Sequence, residues 1–255
     1  MEKKGHGVKK LLLNGLTVLL VCVLAYSVFQ IVRSLAERER GRQVHEHMTK
    51  LVVTEKQQPT AAPQPQQYHI PITVEFDSLL RQNEDIRGWI YCPDTPINYP
   101  VLQGTDNQYY LRHMVNGEYN RAGSILLDYR CAGDFSDAYN LVHGHNLKDD
   151  TMFGSLVNYA DQDYLQAHPV VYLLTPAGDY VVELFAGFTA NSDDKIYSIP
   201  ATKQHRTDMV ENCIARSDFV SRIIPSQDDR LVIFSTCSYA YDDARYVVIG
   251  VLREI

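Results

Sequence analysis

A thiol, a guanidinium and two imidazoles stand in this chain where their chemistry could be combined. The stretch "LVIFSTCSYAYDDARYVVIGVL", Leu231 to Leu252, holds two apolar, β-branched runs, with Cys237 ending the first and Arg245 opening the second. Extended runs alternate their side chains between two faces, so Leu231, Ile233, Ser235 and Cys237 share one face and Val232, Phe234 and Thr236 the other. If the two runs pair as a hairpin, the residues flanking the connection "SYAYDDA" lie side by side across its mouth, with Cβ atoms about 5 Å apart. A guanidinium there favours a thiolate and offers donors to an anionic oxygen. Upstream, "VHGHNLKDDTMF" sets His143 and His145 two positions apart, on one face for as long as the chain is extended. Gly144 and Asn146 then loosen it into a turn. Imidazole is the usual proton carrier for a thiol that must expel an amine. The same residues admit a metal reading, because His143, His145 and Cys237 are all zinc donors, although a fourth ligand at motif spacing is missing.

Something must hold these groups in place, and the sequence points to a β-rich body. Short β-type runs follow one another: "GWIYC", "INYPVLQ", "GSILLD", "YNLVHGH", "VVYLLT", "DYVVELFAGFTA", "RLVIFSTC" and "RYVVIGVL". Turn residues separate them, with "TPAG" at Thr175–Gly178 a hairpin signal. A short helix is expected over "FDSLLRQNEDI", and two more over "TMFGSLVNYADQDYLQAH" and "TDMVENCIARSDFVSRI". In the last, Met209, Val210, Cys213, Ile214 and Val220 read as one apolar stripe, which makes Cys213 core. Asp149 and Asp150 are expected to cap a helix starting near Thr151. Trp89, Cys92 and most of the seventeen tyrosines read as packing, and Cys131 as a loop residue. About eight short strands with few helices imply an antiparallel barrel or sandwich.

Ahead of this body the composition changes. Leu11 to Val32 carries no charged residue, enough length for a hydrocarbon core that needs about 20 helical residues. "VLA" at Val23–Ala25 is a passable signal-peptide cleavage site, but the apolar run continues past it and exceeds the usual core of roughly 7–15 residues. An uncleaved anchor over residues 11–32 is therefore expected, with 1–10 as a cytoplasmic tail. Residues 33–67 read as a polar stalk helix followed by the Pro- and Gln-rich linker "EKQQPTAAPQPQQ". Residues 68–255 are left as the globular domain. The charge is split: residues 1–50 hold nine Lys/Arg against four Asp/Glu, the rest fifteen against twenty-seven. An acidic domain without a basic stripe excludes nucleic-acid binding. The five cysteines are odd in number and form no CxxC pair or disulfide framework.

Taken in order, "NEDIRGWIYCPDTPINYPVLQGTDNQYYL", "GSILLD", "GHNLKDDTMFGSL", the strand-ending "STC" and the arginine eight residues on before "VV" resemble a class B sortase, over roughly residues 74–253. The resemblance implies a mainly β fold, a closed sortase-like barrel of about eight strands with a few peripheral helices, preceded by the transmembrane helix. It implies a cysteine transpeptidase in which Cys237 is the nucleophile, His145 the general acid/base and Arg245 the oxyanion or substrate-stabilising group. Where the family commonly has Tyr two residues before its histidine, this chain has His143. Ser235, Thr236 and Tyr239, beside the nucleophile, are expected to bind substrate. No cofactor or metal is implied. The implied partners are surface proteins bearing a C-terminal sorting signal, NPQTN-like or [S/P]PxTG-like, and a peptidoglycan amine, with the membrane reached through the N-terminal helix. The implied location is a single-pass cell-membrane protein with its catalytic domain outside. A cysteine hydrolase with the same site and a non-enzymatic zinc-binding scaffold are the alternatives.

Overall fold

A computed structural model describes residues 3–54 and 68–255. The linker expected over residues 55–67 lies outside the described residues, as do the first two residues of the tail. The chain divides into two compact units, Met1–Gln43 and Val44–Ile255. Helix α1 runs over Lys3–Thr49. Its apolar stretch leaves large side chains exposed, with Leu11 at 74% and Val32 at 59%. By length and composition it is long and apolar enough to cross a membrane. The polar turns after Val32 continue the helix without a break, and Arg33–Glu37 and Glu39–Arg42 ion pairs at helical spacing support it.

The second unit begins at Val44, upstream of the Tyr68 boundary that composition suggests. Packing is the reason. Val44, Met48, Leu51 and Val52 join an apolar cluster with Ile72, Leu79 and Trp89. Strand β1 (Val52–Thr54) pairs antiparallel with β2 (Ile72–Val74), and α2 (Phe76–Gln82) follows. Then come β3 (Ile86–Tyr91), β4 (Asn98–Leu102), β5 (Ile125–Leu127), β6 (Tyr139–His143), β7 (Val170–Thr175), β8 (Gly178–Asn191), β9 (Arg230–Cys237) and β10 (Ala244–Glu254).

These last eight strands close a barrel in the order β10-β8-β7-β3-β4-β5-β6-β9. Six contacts are antiparallel, while β4–β5 and β6–β9 are parallel. Strand alternation divides the apolar residues between two clusters. Ile90, Val101, Leu173 and Val182 enter one, and their neighbours Trp89, Leu102, Leu174 and Val181 the other. Burial on both faces is why these strands read as continuous apolar runs.

The helical expectations need correction. The stretch 151–168 is not one helix but a 3-10 segment, Gly154–Ala160, then α3, Gln162–Ala167. Asp161 separates them with extended backbone, its carboxylate accepting the Asp163 N–H at 2.8 Å. Asp149 caps no helix at Thr151; it accepts the Thr151 hydroxyl at 2.6 Å inside a turn, where Asp150 adopts φ 61°. Helix α4 spans Lys203–Arg216, capped by the Thr202 side chain, so it starts earlier and stops before Val220. Cys213 is buried as expected, but Ile214 and Val220 are 47% and 81% exposed and share no buried stripe with it.

Candidate active site

Strands β9 and β10 form the hairpin that the spacing suggested, and Cys237 is paired directly with Arg245 in its register. Both side chains are partly exposed, while the strand residues behind them are buried. The connection between them is closed by its own main chain. Ser238 N–H donates to the Ala244 carbonyl at 2.8 Å, and the Arg245 Nη1 donates to that same oxygen at 3.0 Å. The guanidinium is thereby held at the mouth of the hairpin, on the strand position opposite Cys237.

The histidines arrive on β6, which runs parallel to β9 with His143 opposite Ser235. The two main chains stay together one step further, Gly144 N–H donating to the Ser235 carbonyl at 3.1 Å, so the turn carrying His145 and the end of β9 at Cys237 leave the same end of the barrel. Gly144 makes this possible. A Cβ there would lie 2.4 Å from Ile125 Cδ1 and 2.7 Å from Phe153, so no larger residue lets the turn press so close to the barrel. The two imidazoles then separate. His143 Nε2 lies 3.2 Å from the Asp128 carboxylate. His145 Nε2 lies 2.8 Å from the Leu111 carbonyl, in the long connection between β4 and β5. A carbonyl oxygen can only accept, so Nε2 carries hydrogen and Nδ1 is the nitrogen left to take or give a proton.

Asp128, unremarked in the sequence, organises this end of the barrel. It is buried, and its oxygens accept from Arg130 Nε and Nη2 at 2.8 Å each, from Asn107 at 2.7 Å and from His143. Burial alone would raise its pKa, but the bonds from Arg130, then His143, hold the carboxyl well below the usual carboxylate range. Tyr197, in the β8–β9 connection, is a second group that sequence reasoning missed. Its hydroxyl shares a 2.9 Å hydrogen bond with Ser235 Oγ. Burial pushes this phenol up to about 12, against the pull of the Ser235 bond and the Arg245 charge. It therefore stays neutral at physiological pH.

Of the residues expected to bind substrate, Ser235 and Thr236 are buried at 3% and 1% exposure, because both are interior positions of β9 flanked by β6 and β10. Ser235 meets Tyr197 rather than an open groove. Tyr239 is 73% exposed. The zinc grouping of His143, His145 and Cys237 does not form: among the described residues no three His, Cys, Asp or Glu side chains gather as a metal-binding group. His143 is turned to Asp128 instead.

No family model matches the chain. It is, however, 37% identical over 183 residues to sortase B of Listeria monocytogenes, covering 70% of this chain and 74% of that protein. It is 28% identical over 249 residues to sortase B of Staphylococcus aureus, covering 96% and 98% of the two. The solved sortase B of Bacillus anthracis superposes with a TM-score of 0.73 at 28% identity, over 87% of this chain and all of that one. With its eight-stranded closed barrel, its cysteine–arginine hairpin and its neighbouring histidine turn, the chain belongs to the sortase B family and is a class B cysteine transpeptidase.

Proposed function

We propose that Cys237, His145 and Arg245 carry the transpeptidation, and that the enzyme is a membrane-tethered one acting outside the cell. The observation that carries the reading is the cross-strand pairing of Cys237 with Arg245, with the histidine turn abreast of it on a parallel strand. The Cys237 thiolate attacks the carbonyl of the threonine in a sorting signal, forming the C–S bond and an oxyanion. Arg245 donates to that oxygen as charge develops on it, preorganised as such donors must be to stabilise a tetrahedral intermediate. As the intermediate collapses, the C–N bond breaks and protonated His145 delivers its Nδ1 proton to the departing amine. A wall-precursor amine then attacks the thioester, loses its proton to His145 and expels the thiolate. His143 takes no part, since its imidazole is committed to Asp128.

Under this reading residues 11–32 form the anchor, with the N-terminus in the cytoplasm. Four lysines before the span are balanced by Arg33, Arg38, Arg40 and Arg42 after it, so charge does not choose the orientation. The chemistry does, because cell-wall amines lie outside. Tethering confines enzyme and membrane-held substrates to one surface and raises their effective concentration. Protease treatment of intact cells should remove the C-terminal unit; protection of it would overturn the orientation. The partners are surface proteins with an NPQTN-like or [S/P]PxTG-like signal, and a diaminopimelate or oligoglycine amine.

The roles are tested by substitution in the full chain. Cys237→Ala should abolish turnover of signal peptides. His145→Ala should lower kcat by about 10³-fold, general acid–base groups contributing some 10²–10⁴-fold, whereas His143→Gln should cost less than about tenfold. A His143 variant as inactive as the His145 one would reassign the proton carrier.

A further inference from the structure

The residue after the histidine joins its turn to the nucleophile through a side-chain bond. Asn146 Nδ2 donates to the main-chain carbonyl of Cys237 at 2.8 Å, across 91 residues of sequence. A carbonyl cannot donate, so the amide nitrogen, not its oxygen, must face it. The same Cys237–Ser238 peptide is held at its other end, where Ser238 N–H meets the Ala244 carbonyl that also takes Arg245 Nη1. A single hydrogen-bonded chain therefore runs from the histidine turn through the nucleophile's own peptide to the arginine. Two further contacts fix Asn146 itself. Its main chain bridges to Met152, closing the turn, and its carbonyl accepts the Tyr239 hydroxyl at 3.2 Å from the β9–β10 connection.

We infer that Asn146 is a positioning residue of the transpeptidation site: by donating to the Cys237 carbonyl it fixes the spacing between the His145 imidazole and the Cys237 thiol. The inference rests on the reading that these two are the reacting pair. His145 is tied to Leu111 on one side, and Cys237 is tied into the barrel wall through β9. Without the Asn146 side chain, only the β6–β9 ladder and the Tyr239 hydroxyl's bond to the Asn146 main-chain carbonyl relate the two. Proton delivery to a departing amine tolerates little error, and a misplacement of about 1 Å can cost about 10²-fold in rate.

The test uses the full chain in detergent micelles and two quenched fluorescent peptides, one carrying NPQTN and one SPKTG. Asn146→Asp keeps the shape but sets a carboxylate oxygen against the Cys237 carbonyl, and Asn146→Ala removes the group. Each should lower kcat by about 10²-fold with KM within about twofold. Because Asn146 acts through His145, the double variant H145A/N146A should be no slower than H145A alone. A merely structural role would instead lower the thermal midpoint, restore kcat on cooling, and add to the His145 loss. Asn146→Asp with unchanged kcat, alongside an inactive H145A, would overturn this inference alone. Turnover undiminished in H145A, or no cleavage of either peptide by the unaltered chain, would remove the reacting pair and this inference with it.

Discussion

Gly123 offers a way to move the His145 imidazole, the proposed proton carrier, without touching it. This glycine sits at φ +57° in the β4–β5 connection, where an added Cβ would lie 2.6 Å from the Leu111 carbonyl oxygen and 2.7 Å from its carbon. Ordinary contact begins at 3.4 Å, so Gly123→Ala forces the carbonyl away by about 0.8 Å. That oxygen is the acceptor for His145 Nε2. If the full displacement falls along the bond, it lengthens from 2.8 Å to about 3.6 Å, beyond hydrogen-bond range. The imidazole would then lose the contact that fixes its tautomer and orientation, and kcat should fall by about 10–100-fold. Left-handed strain for alanine adds a stability cost of about 1–2 kcal/mol. Gly117 separates the two effects. It has φ +79° in the same connection, but its nearest atom to an added Cβ is the Tyr109 hydroxyl at 3.8 Å. Gly117→Ala should thus lower the thermal midpoint by a comparable few degrees and leave kcat intact. The assay is peptide turnover and thermal unfolding on both variants side by side. Full activity in G123A, or equal activity loss in the two, would refute the reasoning.

Other consequences are as direct. A chain beginning at Tyr68 loses β1 and the buried Met48 and Val52. At about 1.5–3 kcal/mol per buried side chain and about 2–4 °C per kcal/mol, it should melt about 10 °C below one beginning at Val44; equal midpoints would show that residues 44–54 do not stabilise the barrel. Asp128 has its pKa depressed by folding, so its contribution is present above the unfolded carboxylate value of about 3.9 and is lost as pH falls below it. The midpoint difference between the chain and Asp128→Asn should therefore be widest above about pH 5 and narrow on acidification. A difference constant from neutrality to pH 3 would contradict the carboxylate's role as an ionised hub.

The barrel was legible because its strands are apolar, short and separated by turn residues, and because the hairpin partners Cys237 and Arg245 are close in sequence. The two parallel contacts were not, since β4–β5 and β6–β9 are joined by long connections that carry no register signal. The near-identical chemistry of His143 and His145 concealed their different fates, which depend on Asp128 and on the Leu111 carbonyl from other parts of the chain. A main-chain acceptor leaves no trace in residue type. Tyr197 was one tyrosine among seventeen, marked only by its fold-dependent meeting with Ser235. Ser235 and Thr236 stand out in the sequence only by nearness to Cys237, which carries no signal of their burial. Composition sets the domain start at Tyr68, whereas α1 carries its polar pattern on into Val44 and Met48, whose packing only the fold reveals.

The central claim is that Cys237 forms a thioester that an amine resolves. Intact-protein and peptide mass spectrometry of the full chain, incubated with sorting-signal peptides and then chased with diaminopimelate or triglycine, reads this directly. The account predicts an acyl adduct on Cys237 alone, cut after threonine, that disappears on the chase as an amide product. A Cys237 left unmodified while peptide is consumed, or an adduct that releases only free acid in the presence of amine, would contradict it.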